Sequence, residues 1–128
     1  MIGTKEEHIK YRIEVSKEIF DDAILLATNK SWYSCVNRLF YSSFNLLIAL
    51  FLKNNLETKT HKGMRIQFNE YFVRTGLFSD DEGKLFSKLY DWRQAGDYTA
   101  FINFDEDMVL PVIKEVEEFN KKIEGLLI

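Results

Sequence analysis

Apolar residues recur every three or four positions along nearly the whole chain, the spacing that gathers them on one face of an α-helix. From about Lys5 to Thr28 the recurring set is Ile9, Ile13, Phe20, Ile24 and Ala27. Asn29-Lys30-Ser31 interrupts it. Ser31 suits an N-cap, where a side-chain oxygen takes up a free backbone N–H, so a second helix is expected from there to about Asn54. A shorter third helix starts near Thr60, turns Met64, Phe68 and Phe72 inward, and stops before Gly76. Ser79-Asp80-Asp81-Glu82 has the form of a capping box with acidic residues in the first turn, where the helix dipole favours them. The fourth helix follows with Leu85, Leu89 and Trp92 on one face and ends within "DWRQAGDY", residues 91–98. The fifth carries Val109, Val112, Val116, Phe119, Ile123 and Leu126. Pro111 lacks an N–H, so this helix starts around 105–108 or is kinked at the proline. No useful alternating run suggests a strand. The pattern predicts an all-α, up-and-down bundle of four long helices and a shorter one.

The second helix departs from simple amphipathicity. Between Trp32 and Leu52 the only charge is Arg38, and the stretch is long enough to span a bilayer. Ser34, Asn37, Arg38, Ser42, Ser43 and Asn45 make its first half too polar for that, which favours a central helix buried on most sides. Ser31, Ser34, Arg38, Ser42 and Asn45 follow one another at spacings of three, four, four and three, so they share a stripe bordered by Tyr41. That stripe either meets solvent or a partner subunit, or lines a polar cleft; periodicity does not choose.

Composition narrows the setting. A chain of 128 residues suits one domain, 1–128, and 46% hydrophobic with 15% aromatic residues builds a core without a disulfide or metal staple. The single cysteine, Cys35, rules out an internal disulfide, and the polar stretch from Met1 to Lys10 predicts no secretory signal. A reducing, cytoplasmic setting and no membrane association are the expectation. A net charge of −3 gives no whole-molecule attraction to nucleic acid or an anionic membrane. The charge is uneven, however. Lys53, Lys59, Lys62, Arg65 and Arg74 outnumber Glu57 and Glu70, while residues 105–118 are strongly acidic. Such runs are solvated helix faces, or here a basic patch aimed at phosphate or an acidic partner.

Candidate chemistry is sparse. His8 and His61 lie far apart with no ligand at helical spacing, so no metal site and no cofactor is implied. No Gly-rich phosphate loop or nucleophile elbow is present. Cys35, beside Trp32, Val36 and Leu39, reads as a small buried hydrophobe. "KTHKG", residues 59–63, joins cationic side chains to a helix start that could hold an anion, against the plainer reading of Thr60 as a cap with His61 and Lys62 merely adjacent. Arg93 and Asp97, four apart, can pair on a continued helix. An exposed pair of this kind contributes about 0.3–0.5 kcal/mol. The functional reading makes Arg93 a planar cationic fork for phosphate, oriented by Asp97.

Taken together, "NRLFYSSFNLLIALFL" (37–52), "KTHKG" (59–63), "FVRTGLF" (72–78) and "WRQAGDY" (92–98) resemble the small bacterial and archaeal HEPN-domain proteins, over about residues 5–125. The resemblance implies a helical bundle that usually forms a homodimer with a polar cleft. It also implies frequent pairing with a minimal nucleotidyltransferase, often as a toxin–antitoxin system, and metal-independent ribonuclease activity in several relatives. The ribonuclease type carries an Arg followed after four to six residues by His. With Arg93 as that Arg, the His positions hold Tyr98, Thr99 and Ala100, and the histidine is absent. An unperturbed tyrosine, with a pKa of about 10, exchanges protons poorly near neutral pH.

The expected function is therefore a homodimeric HEPN protein that binds a nucleotide, RNA or a partner nucleotidyltransferase. Arg93 would contact phosphate or the partner's acidic surface, Asp97 would hold it, and Tyr98 would stack or donate a hydrogen bond. Arg38, Tyr41 and Asn45 of the second helix, with His61 and Lys62, are candidates to face the same cleft. The alternative is a metal-independent RNA endonuclease with a degenerate Arg…His site, using Arg93 and Tyr98 with His61 as proton shuttle. A third reading makes Arg93–Asp97 purely structural. The apolar excess of the second helix and the terminal "GLLI" support dimerisation.

Overall fold

The computed structural model describes residues 3–58, 60–98 and 102–128, with the backbone alone described over 95–98. The helices among these residues are α1 (Lys5–Thr28), α2 (Trp32–Lys53), α3 (His61–Phe68), α4 (Asp80–Tyr98) and α5 (Glu106–Leu127). A π-helical turn, Asn69–Val73, prolongs α3. The five helices expected from periodicity are present at the expected places, and the described fold is all-α.

Local chemistry explains most of the boundaries. Thr4 Oγ1 accepts from Glu7 N at 3.1 Å, Thr60 Oγ1 from Gly63 N at 2.8 Å, and Asp105 Oδ1 from Met108 N at 3.0 Å. These take up N–H groups that a helix start leaves without a partner. The capping box closes reciprocally: Glu82 N donates to Ser79 Oγ at 3.1 Å and Ser79 N to Glu82 Oε1 at 2.7 Å. Lys122 of α5 also donates to Glu82 Oε1, at 2.8 Å, which ties α5 to the start of α4. Ser31 holds the N-cap position of α2, but its side chain makes no cap hydrogen bond. The break there comes from the backbone instead, with Lys30 at φ +58° in the left-handed region. Pro111 lies inside α5 and on its exposed side, so the helix begins at Glu106 and runs past the proline.

α2 is the central element, packed against α1, α4 and α5, while α3 lies on α4. It is the one described helix with the length and composition to cross a bilayer, and 67% of its most apolar window is buried. On its far side Phe68 of α3 joins Phe78, Phe86 and Phe119 at ring-centroid distances of 5.0, 5.7 and 5.9 Å.

α1 departs from the expected apolar face. Its buried positions are Ile9, Ser16 and Ala23, seven residues apart, whereas Ile13 and Phe20 are half-buried and Ile24 is exposed. Small Ser16 and Ala23 allow close approach to α2, and α1 sits at the edge of the bundle. The polar stripe of α2 is also divided. Ser31 and Ser34 are exposed and Arg38 is half-buried, but Ser42 and Asn45 are buried. Ser16 and Ser42 each donate to the other's carbonyl, at 2.8 and 2.9 Å. Asn120 of α5 donates to Ser42 Oγ at 3.0 Å and accepts from Ser43 Oγ at 2.8 Å. Ser42 of the stripe, with Ser43 beside it, thus stitches α1, α2 and α5 together.

Removing one member leaves buried partners unsatisfied, a cost of about 1–3 kcal/mol. Asn120→Ala is expected to lower the unfolding free energy by that amount in urea titrations. A midpoint and slope equal to the parent's would show that the network contributes nothing.

Candidate functional site

The middle of α2 turns Phe40, Tyr41 and Phe44 toward the start of α3 and the later part of α4. Capping by Thr60 places His61 in the first turn of α3. Its imidazole lies 4.6 Å from the Phe44 ring centroid, 5.6 Å from Phe40 and 5.7 Å from Tyr41, edge-on to each. The Arg93 guanidinium lies 5.4 Å from the Tyr41 ring and 5.6 Å from Phe40. Arg38, one helical turn before Tyr41, is 5.2 Å from the same phenol ring. Two guanidiniums therefore share one aromatic ring, a cation–π arrangement that holds their planes against a low-dielectric surface.

Arg38 is further fixed by donating to Asn37 Oδ1 from Nε at 3.2 Å and from Nη2 at 2.8 Å. His61 feels this environment. Burial, and then repulsion from the Arg93 cation, lower its pKa below the usual 6.5, so the imidazole is neutral at pH 7.

The same histidine is on the rim of a cleft of about 440 Å³ between α1, α2 and the connection into α3. Phe44, Ile48, Phe51, Leu52, Leu56 and Met64 form its apolar lining. His8, Arg12, Glu57, Thr58 and Thr60 complete the rim with His61. Arg12 Nη1 donates to Asn45 Oδ1 at 2.6 Å and its Nε to His8 Nε2 at 3.3 Å. Asn45 Nδ2 in turn donates to the Tyr41 carbonyl at 2.8 Å. Asn45 is thus buried and serves to hold Arg12 at the rim. A second depression of about 460 Å³, between the π-helical turn and α4, is lined by Asp80, Lys84, Lys88 and Asp91 among others, so no single sign of charge gathers there.

The structure brings together Arg93, Arg38, Tyr41 and His61, with Asn45 one turn further along α2. Lys62 is exposed beside His61. The side chains of Asp97 and Tyr98 lie outside the described residues, as does Lys59; the backbone puts 97 and 98 in the last turn of α4, beyond Arg93. Sequence reading missed Arg12 and overlooked His8 as its support. The available signal was their spacing of four on α1. Other residues set aside in the sequence prove structural. Burial pushes the Cys35 thiol up to about 11, so it is protonated and inert near neutral pH. Lys53 donates to the Leu126 carbonyl at 2.9 Å, and Arg65 sits 3.6 Å from Asp91 and over the Tyr90 ring at 4.7 Å.

Comparison with known proteins adds an independent finding. The model of the HEPN domain family matches residues 9–126. A UPF0332 protein of Thermotoga maritima is 36% identical over 126 residues, covering 98% of this chain and 96% of the relative. A Methanocaldococcus jannaschii protein that carries the name "Putative toxin" is 33% identical over 121 residues, covering 94% and 90%. A UPF0332 protein of Archaeoglobus fulgidus is 26% identical over 116 residues, covering 91% and 92%.

The electrostatic link between Arg93 and His61 can be read directly. In an NMR titration the His61 midpoint is expected below 6.5, and Arg93→Ala should raise it because one source of repulsion is gone. A midpoint unmoved by that substitution would mean the two groups do not interact.

Proposed function

The chain belongs to the HEPN domain family, and from that membership we propose that it is a toxin-type member whose Arg93–Arg38–Tyr41 cluster grips the phosphate of a nucleotide or of RNA. The observation that carries this reading is the pair of guanidiniums set against one phenol ring, beside a neutral imidazole. Guanidinium offers paired N–H donors that match phosphate oxygens, and the Tyr41 ring holds both guanidiniums by cation–π attraction. The relatives' toxin names support a role in a toxin–antitoxin system. A minimal nucleotidyltransferase as the antitoxin partner, with an acidic surface toward Arg93, extends the reading, as does a homodimer. Ile24 and Leu110, exposed around one depression between α1 and α5, provide apolar area for such an association.

Removing a charge-assisted contact of this kind costs about 1.5–3 kcal/mol. Arg93→Ala should therefore weaken adenosine 5′-monophosphate or short RNA roughly ten- to hundredfold by calorimetry, with the protein still cooperatively folded. The opposite pattern, lower stability with unchanged affinity, would leave Arg93 a purely structural residue.

His61 beside Arg93 favours a second reading, metal-independent RNA cleavage. Arg93 would hold the scissile phosphate while neutral His61 takes the 2′-hydroxyl proton. The freed oxygen attacks phosphorus, and the imidazolium returns the proton to the departing 5′-oxygen. Purified protein with RNA and excess chelator should then cleave, and His61→Ala and Arg93→Ala should each abolish cleavage. Intact RNA in the presence of folded parent protein counts against the nuclease and leaves the binding reading standing.

A further inference from the structure

The phosphate cluster and the 440 Å³ cleft meet at His61, which touches the Phe40–Tyr41–Phe44 aromatic cluster and also forms part of the cleft rim. The two regions differ in chemistry. Around Tyr41 the dominant groups are guanidiniums. Beyond His61 the lining is apolar: Phe44, Ile48, Leu52 and Leu56 are half-buried and offer a surface with no charge to satisfy. Pockets that hold small ligands combine such a lining with a few fixed polar groups, and occupy about 300–1,000 Å³. A ligand spanning both regions must be anionic at one end and flat and largely apolar at the other.

We propose that this cleft is a nucleobase subsite, which takes the planar ring of the nucleotide whose phosphate Arg93 holds. The inference rests on the phosphate reading of the Arg93 cluster and adds to it where the rest of the ligand lies. Rim chemistry supports it. Arg12 is held in place by Asn45 and His8, so a third guanidinium, after those of Arg93 and Arg38, is fixed at the cleft rim as a donor to the ligand. Thr58 donates to the Thr60 carbonyl, and Thr60 accepts from Gly63 N, so both hydroxyl oxygens are fixed at the mouth. Together with the Glu57 carboxylate, these oxygens offer acceptors to an exocyclic amino group, which makes adenosine 5′-monophosphate the natural probe. With two aromatic rings, Phe44 and His61, in its lining, the cleft fits a flat heteroaromatic ring better than a branched aliphatic one, because aromatic contact rewards planarity.

The test compares adenosine 5′-monophosphate with ribose 5-phosphate, which carries the phosphate and sugar without a base. The full-length parent protein is expected to bind the nucleotide at least tenfold more tightly. Ile48→Trp fills the cleft and should bring the two affinities within twofold while leaving ribose 5-phosphate binding as it was. Thr58→Trp blocks the mouth from a loop and should do the same, so the result does not depend on how the core tolerates the first change. Equal binding of the two ligands to the parent, or a tenfold preference that survives both substitutions, overturns the subsite. Failure of ribose 5-phosphate and nucleotide alike to bind folded protein overturns the phosphate reading as well, which separates the two failures. A short RNA with a 5′-phosphate, compared with one whose first residue is abasic, then identifies the source. A preference for the base-bearing RNA shows that an RNA end enters the subsite. Its absence, with the nucleotide preference intact, assigns the subsite to free nucleotides.

Discussion

The arrangement depends on the hydrogen-bonded cluster that joins Ser16, Ser42, Ser43 and Asn120. A helix as deeply buried as α2 gains little from apolar contact that would fix its rotation, since Leu39, Leu46, Leu47 and Leu50 are buried on several sides at once. Polar groups are less forgiving, because a buried hydroxyl or amide without a partner costs more than a mispacked methyl group. Ser42 can meet Ser16 only if it faces α1, and Ser43 can meet Asn120 only if it faces α5. Those two constraints set the rotation of α2. They leave Phe40, Tyr41 and Phe44 to face α3 and α4, where the candidate site is.

That rotation explains why a cationic site can exist in a chain of net negative charge. Arg93 is not placed in a bath of positive potential; it is brought against Tyr41 and Phe40, whose ring faces attract a cation locally. Arg38 reaches the same ring from α2 itself, and Arg12 is fixed nearby through Asn45. Several other cations are engaged in structure: Lys122 on Glu82, Arg65 beside Asp91, Lys53 on a carbonyl of α5. Local geometry rather than overall charge decides where an anion would be held.

Much of the fold was legible in the sequence because helix periodicity and capping act over a few residues. The start of α4 could be read from Ser79 and Glu82 alone, and the start of α3 from Thr60. The site was legible less completely. Arg93, Arg38, Tyr41 and His61 could be named, but their meeting depends on contacts between helices that no local pattern encodes. The stripe on α2 shows the limit most clearly. Ser31, Ser34, Arg38, Ser42 and Asn45 have one spacing, yet the first two are exposed, Arg38 lies over Tyr41, and the last two are consumed by α1 and α5. Which fate a polar residue meets is set by what packs over it. Arg12 was missed for the same reason: on its own helix it is one of several surface cations, and only Asn45, far along the chain, gives it a place.

The proximity of His61 and Arg93 has a further consequence for an anion-binding site. Burial and the Arg93 cation both disfavour protonation of His61, so its folded pKa lies below 6.5. An anion held at Arg93 offsets that repulsion and raises the His61 pKa toward, or past, its ordinary value. Binding then draws a proton onto the imidazole, and linkage requires that proton uptake favour binding in turn. Affinity must therefore rise as pH falls through the interval between the free and bound pKa values of His61. Arg93 from α4 fixes the sign, while Arg12 and Glu57, of opposite charge, lie on the rim of the cleft that His61 borders. A proton on His61 without a bound anion adds a like charge beside the Arg93 cation. With the anion in place it becomes a further donor to phosphate, so the histidine reports and reinforces occupancy of the site it borders.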